Sequence, residues 1–391
     1  MYKVHCMNNI SRVGTDKLGG NYELVSELDG ADAILVRSAN LHEVEFPSSL
    51  LAIARAGAGV NNIPLDTCAQ KGIVVFNTPG ANANAVKELV IAGMLLSCRD
   101  IVGGINWVSE NSDDPDVGKK AEKAKKQFAG RELAGKTLGV IGLGAIGSAV
   151  ANSGRQLGMK VLGYDPYLSI NAAWSLDRNI QHVTDINEIW ANADFITIHV
   201  PAMDSTKGMI SREAIEKMKH GVVVLNYARD VLVDEQAMAA ALDSGKVAHY
   251  MTDFANPQSC NMKNAIVTPH LGASTSEAED NCAVMAVSEL RDYIENGNIK
   301  NSVNFGAVDL GVLTTGFRIA LFHKNVQGMI GKITNILSEA DLNIENMANK
   351  SRGEYAYTLI DVASGNVDEV AKRVAALNNV VRVRVINAQD A

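Results

Sequence analysis

The stretch Leu138–Val150, LGVIGLGAIGSAV, sets G-x-G-x-x-G at Gly142, Gly144 and Gly147 directly behind the apolar run Thr137–Ile141. Strand, tight turn and helix in this order form a dinucleotide fingerprint. The first glycine permits the turn and the second lets a pyrophosphate approach the backbone. The third lets helix and strand pack closely, with the anion at the helix N-terminus beside Ala145 and Ile146. A second apolar run, Lys160–Tyr164, ends in Asp165, about 20 residues beyond the fingerprint, where a carboxylate accepts from both ribose hydroxyls. That carboxylate repels a 2′-phosphate, and "DPYLS" brings no arginine, so the sequence favours NAD over NADP.

Further apolar runs follow at spacings that suit a doubly wound sheet: "DFITIHV" from Asp194, "VVVLNYA" from Val222, "AHYMTDF" from Ala248 and "AIVTPH" from Ala265. Ligands of such sheets bind beyond the carboxyl ends of the strands, which gathers His199, Arg229, Asp253 and His270 around one crevice. The fingerprint nevertheless begins late. Residues 1–98 show their own βα alternation without one, and the helical stretch after His270 returns the chain to that first domain. The expected organisation is therefore α/β, with two Rossmann-like doubly wound domains. Residues 1–98 and 272–305 form the substrate-binding domain, and residues 99–271 form the NAD-binding domain inserted between them.

Bulk properties narrow the function. The chain has 391 residues and a formal net charge of −8, so a broad electrostatic footprint for nucleic acid or anionic membrane is not expected. No apolar run approaches the roughly 20 residues of a membrane helix. Five cysteines stand singly without a C-x-x-C pair, the chain start shows no signal segment, and the reading is a reduced, cytoplasmic protein with no metal site. The lysine-rich "GKKAEKAKKQF" from Gly118 reads as a solvated helix face.

"ARAGAGVNNIPLDTCAQKGIVVFNTPG", "GKTLGVIGLGAIG", "YAR…VDE" and "TPHLGAST" together resemble the D-2-hydroxyacid dehydrogenases over essentially the whole chain, and within them the branch of serine synthesis that oxidises 3-phosphoglycerate. The resemblance implies His270 as acid/base and Arg229 as the fork that binds the substrate carboxylate. Asp253 would lie near the nicotinamide, and the cofactor would also meet His199, Val200, Pro201, Thr206, Ala228 and Gly272. Arg37, Arg55, Gly57, Gly59, Asn82 and Ala83 would receive the substrate carboxylate and phosphate, although Arg37 and Arg55 read equally well as surface ion pairs. One part departs from the family. Where a glutamate normally precedes the proline and pairs with the catalytic histidine, this chain has Asn256 before Pro257, in a segment one residue shorter. An amide orients an imidazole but lends no charge to its protonated form. Asp253 or Asp230 would have to compensate. The alternatives are another D-2-hydroxyacid dehydrogenase, acting on glycerate or hydroxypyruvate, and a non-catalytic NAD(H)-sensing binding protein.

After a small-residue linker at 306–315, residues 316–391 alternate as βαββαβ, the ferredoxin-like plan. In this family such a tail resembles an ACT domain, a regulatory module. His323, Asn325, Gly328 and Asn343 correspond to the positions that hold an L-serine effector, and Gln327 stands where the pattern has proline. A tail used only for dimerisation is the competing reading. The family also implies a homodimer or homotetramer.

Overall fold

The computed structural model describes residues 1–388. Contacts divide the chain into two compact units, Met1–Ala81 with everything from Glu279 onward, and Asn82–Ala278.

The first unit is built on five parallel strands, β1 (Tyr2–Cys6), β2 (Tyr22–Val25), β3 (Ala33–Val36), β4 (Ala52–Arg55) and β5 (Val74–Phe76), in the order β2-β1-β3-β4-β5. A parallel strand covered on both faces needs a continuous apolar run rather than an alternating one, and AILV in β3 is buried at every position. The helix Ser276–Asn296 brings the chain back, and its Ala283, Ala286, Val287, Leu290 and Ile294 complete the core beside Val4, Leu35 and Ala54.

Seven parallel strands form the sheet of the second unit: β6 (Thr137–Ile141), β7 (Lys160–Tyr164), β8 (Gln181–His182), β9 (Phe195–Ile198), β10 (Val222–Asn226), β11 (Val247–Thr252) and β12 (Ala265–Val267). Their order, β12-β11-β10-β9-β6-β7-β8, reverses direction between β6 and β9, and that switch point is where such sheets open a crevice.

The tail does not stand apart. Strands β13 (Phe317–Lys324), β14 (Asn346–Arg352), β15 (Tyr355–Val362) and β16 (Val380–Asn387) form an antiparallel sheet ordered β14-β15-β13-β16, with the helices Met329–Glu339 and Val367–Ala375 in βαββαβ succession. One face, with Ile319, Leu321, Ile360 and Val362, packs under Met329, Ile333, Val370 and Val374 of the two helices. Ala320, Phe322, Tyr357 and Leu359 instead join the core of the first unit with Tyr293 and Phe305. The rings of Phe305 and Phe322 lie 4.7 Å apart. Segment 306–315, expected as a linker, is strapped down. Arg318, only 1% exposed, forks onto Asp361 at 2.6 and 2.9 Å and donates to the carbonyls of Asn296 at 2.7 Å and Gly311 at 2.8 Å. Small residues there keep backbone carbonyls within reach of a buried guanidinium, a use that composition alone does not distinguish from flexibility.

The lysine-rich segment is a solvated face, as expected. Lys119 and Lys120 pair with Asp116 and Asp114, and Lys125 with Glu122.

Breaking a buried pair strands a charge, so Arg318→Met or Asp361→Leu alone should cost about 3–5 kcal/mol in urea unfolding, and the double replacement markedly less than their sum. The return helix generates a second test. Glu289 is 8% exposed, its Oε1 accepts from Asn301, and its Oε2 is buried without a partner among the described residues. Burial pushes its carboxyl up to about 7. A folded-state value above the unfolded one makes stability greatest below about pH 4.5 and lowers it as pH rises through 7. Glu289→Gln should therefore stabilise the protein by about 3 kcal/mol at pH 8 and by almost nothing at pH 4.

Candidate active site

The fingerprint folds as its glycines require. Gly142 has φ +87°, and a Cβ there would lie 2.5 Å from the carbonyl oxygen of His199. A Cβ on Gly147 would come within 1.8 Å of the Gly142 carbonyl oxygen. Gly144 caps the helix Ala145–Gln156 and has open space where a side chain would be. The first-turn amides of that helix have no carbonyl within it to bond and are free for an anion. Asp165 braces the turn, accepting from the Leu143 N–H at 2.9 Å and the Tyr167 N–H at 2.8 Å. A carboxylate has about four acceptor positions, so two remain for ribose hydroxyls. These residues fit a bound NAD.

Beyond β9 the expected contacts are partly turned inward. His199 is partly buried, bonded through Nε2 to Thr197 Oγ1 at 2.9 Å, and desolvation holds its pKa down at about 3. It stays neutral and forms the wall behind Gly142. Thr206 donates to the Pro201 carbonyl at 2.6 Å and accepts from the Met203 N–H at 2.9 Å, closing the loop that carries Val200 and Pro201.

Asp253, at the end of β11, is 2% exposed. Its carboxylate accepts from Thr268 Oγ1 at 2.6 Å and from the N–H groups of Leu271 and Gly272, both at 2.7 Å. These bonds hold the loop after β12. At the crest of that loop His270 has φ +58°, a left-handed conformation uncommon for a residue with a Cβ. Its N–H donates to the carbonyls of Asp253 and Thr268, both at 3.0 Å, and its imidazole is exposed against the edge of Phe254, 5.2 Å between ring centres. An exposed ring on strained backbone, held from beneath by a buried carboxylate, is characteristic of a reacting group.

Arg229 leaves β10 in extended backbone, with Nη1 donating to its neighbour Ala228 O at 2.6 Å and the rest of the fork half exposed. Asn256 is not an orienting group for His270. Its Oδ1 accepts from the N–H groups of Gln258 and Ser259 at 2.9 and 2.8 Å, and its Nδ2 donates to Glu235 at 2.6 Å. The amide builds the turn after Pro257, and no side-chain bond to His270 occurs among the described residues. Asp230 is exposed and caps Val231 N–H, so it does not supply the missing charge either. Glu235 and Thr268 were overlooked in the sequence, although the quoted motifs "VDE" and "TPH" contain them.

In the first unit, Arg37 forms a half-exposed ion pair with Glu279 at 2.7 Å. Arg55 ends β4 with its guanidinium folded over Gly57, whose N–H donates to Thr78 Oγ1 at 2.8 Å; Gly59 follows in the same loop. In the second unit, Asn82 stands at the N-cap position of the helix that starts at Ala83, and its Oδ1 is buried without a partner among the described residues. Within the tail, His323 is 2% exposed with Nε2 bonded to Thr358 Oγ1 at 3.0 Å and Nδ1 to Lys324 O at 2.9 Å. Both ring nitrogens are bonded within the tail. Asn325 and Asn343 are exposed, and Gly328 caps the first tail helix with φ +81°.

Residues 91–272 match the model of the D-isomer specific 2-hydroxyacid dehydrogenase NAD-binding domain. A hydroxypyruvate reductase of Thermotoga maritima is 38% identical over 68% of this chain and 86% of its own. The chain belongs to the D-isomer specific 2-hydroxyacid dehydrogenases. D-3-phosphoglycerate dehydrogenase of Methanocaldococcus jannaschii is 37% identical over 72% of this chain. The match spans about half of that relative, 53% of its length. The NAD-bound 3-phosphoglycerate dehydrogenase of Entamoeba histolytica superposes with a TM-score of 0.61 at 29% identity, covering 78% of this chain and 98% of that one. NAD is the cofactor of the fingerprint domain. No helix among the described residues is long and apolar enough to cross a membrane.

Because a methyl on Gly147 has nowhere to go, Gly147→Ala should abolish NADH binding, read by quenching of protein fluorescence, while far-ultraviolet circular dichroism changes little. Retained NADH affinity would show that the dinucleotide lies elsewhere.

Proposed function

We propose that this chain oxidises D-3-phosphoglycerate to 3-phosphohydroxypyruvate with NAD. The observation that carries the reading is His270: exposed, left-handed, anchored through Asp253, and on the same carboxyl edge of one sheet as the fingerprint and Arg229. Arg229 binds the substrate carboxylate as a planar fork, which fixes the carbinol carbon and polarises the carbonyl as it forms. His270 accepts the hydroxyl proton as the carbon–oxygen double bond forms, and returns it in the reverse direction. Bound NAD supplies the hydride acceptor. Arg37 and Arg55 are the cations of the first unit proposed for the substrate phosphate, with Arg37 exchanging Glu279 for it. Surface pairing of that kind is worth no more than about 1 kcal/mol, so the exchange costs little.

The relatives named D-3-phosphoglycerate dehydrogenase support the phosphorylated substrate, and the Thermotoga relative supports hydroxypyruvate as the second reading. The βαββαβ tail is proposed to be an ACT-type regulatory module, with Asn325 and Asn343 rather than His323 meeting L-serine.

The assay is NAD reduction by 3-phosphoglycerate and, in reverse, NADH oxidation by 3-phosphohydroxypyruvate and by hydroxypyruvate, each with and without serine. Turnover should be fastest with the phosphorylated acid and fall in serine, the fall being lost in Asn325→Ala. His270→Gln should lower kcat by about 10²–10⁴ with the fold intact. Preference for hydroxypyruvate would select the second reading. Absence of turnover with retained NADH binding would select a sensing protein.

A further inference from the structure

The second unit holds a cavity of about 560 Å3 at the edge of its sheet away from the fingerprint. Fingerprint, Arg229 and His270 all follow carboxyl ends of strands, whereas this cavity gathers at the amino ends: His249 lies near the start of β11 and Asn264 immediately precedes β12. Its wall is the place where the chain leaves at Arg99 and comes back at Arg131, the two passes being joined by the Arg131 N–H and the Cys98 carbonyl at 2.9 Å. Leu96 and Ile266 supply apolar lining.

The charges in this cavity are not balanced. The Arg131 guanidinium lies 5.2 Å from the centre of the Phe195 ring and bonds Gly221 O at a long 3.4 Å. Neither Arg131 nor Arg99 has an ion pair among the described residues. His249 has a buried Nδ1 with no partner among them. Asp100 also lines the cavity, but its Oδ1 caps the next helix by accepting from Gly103 N–H at 2.9 Å. Arg131 and Arg99 both line this cavity, with one carboxylate, Asp100, beside them, in a chain of formal net charge −8. Arg131 is half-buried and Arg99 exposed at the rim, and a half-buried cation without an ion pair gains from charge-assisted bonds to an anion.

We propose that this cavity is a second ligand site, distinct from the coenzyme crevice, for a small organic polyanion carrying phosphate or paired carboxylate groups. Arg131 supplies the main fork and Arg99 a second cation at the rim, with His249 in the wall and Leu96 and Ile266 against the apolar part of the ligand. Occupation ties the sheet edge to both ends of the 99–131 excursion.

Pyrophosphate and citrate are the probes, titrated calorimetrically into the full chain saturated with NADH. At least one of them should bind once per chain. Arg131→Gln should weaken that binding about tenfold or more and Arg99→Gln by a smaller factor, while Arg229→Gln leaves it unchanged. Should Arg131→Gln fail to fold, Arg131→Lys, which keeps the charge but loses the fork, should still weaken that binding, and Arg99→Gln should add to the loss. Absence of binding by both probes overturns the proposal. So does binding that survives Arg131→Gln and disappears in Arg229→Gln, because the anion then lies in the substrate crevice. Binding of only one probe identifies which anionic group the site takes.

Discussion

The buried carboxylate of Asp253 is the constraint on which the reacting edge depends. A charge at 2% exposure is tolerable only when its oxygens are saturated, and here a threonine hydroxyl and two consecutive backbone N–H groups saturate them. Those donors belong to the loop after β12, so satisfying Asp253 bends that loop and forces His270 into left-handed backbone. Strain at His270 and saturation of Asp253 are thus one arrangement seen from two sides. The imidazole is presented to solvent because the residues around it are committed to the backbone beneath.

A similar economy governs the tail. Arg318 would be costly to bury unpaired, and it is satisfied by Asp361 on the neighbouring strand and by carbonyls of the 296–311 segment. Arg384, 5.0 Å over the Tyr293 ring, and Tyr357, whose hydroxyl donates to Gly297 O at 2.6 Å, extend the same seam. The sheet face opposite the two helices is thereby closed against the first unit. The tail sheet is thus continuous with the core that holds β4. Arg382, donating to the carbonyls of Leu50 and Ser48, adds a further tie between them.

Asn256 shows how a departure from a family pattern is absorbed. Its amide does two jobs that a glutamate could not do together, accepting from two N–H groups to build a turn and donating to Glu235. Donation requires the NH2 group, so asparagine and Glu235 are matched to one another. The negative charge of this corner sits on the helix Glu235–Asp243 rather than on the turn before Pro257.

Much of this protein was determined by its sequence alone. The β6 run and the three glycines specify strand, turn and helix largely through local geometry, since the periodicity and the positive φ of Gly142 are set by neighbours along the chain. The alternation of 316–388 likewise specified βαββαβ, because periodicity of 2 and of 3.6 is written residue by residue. Tertiary structure decided the roles of polar side chains whose partners are remote in sequence. Asp253 and Thr206 became scaffold, Asn256 a turn builder and His323 a core histidine, because an acceptor or donor from another segment took each polar atom first. It also decided that residues 306–315 are strapped rather than slack, since a linker and a string of carbonyls under a buried arginine have the same composition and differ only in what lies across from them.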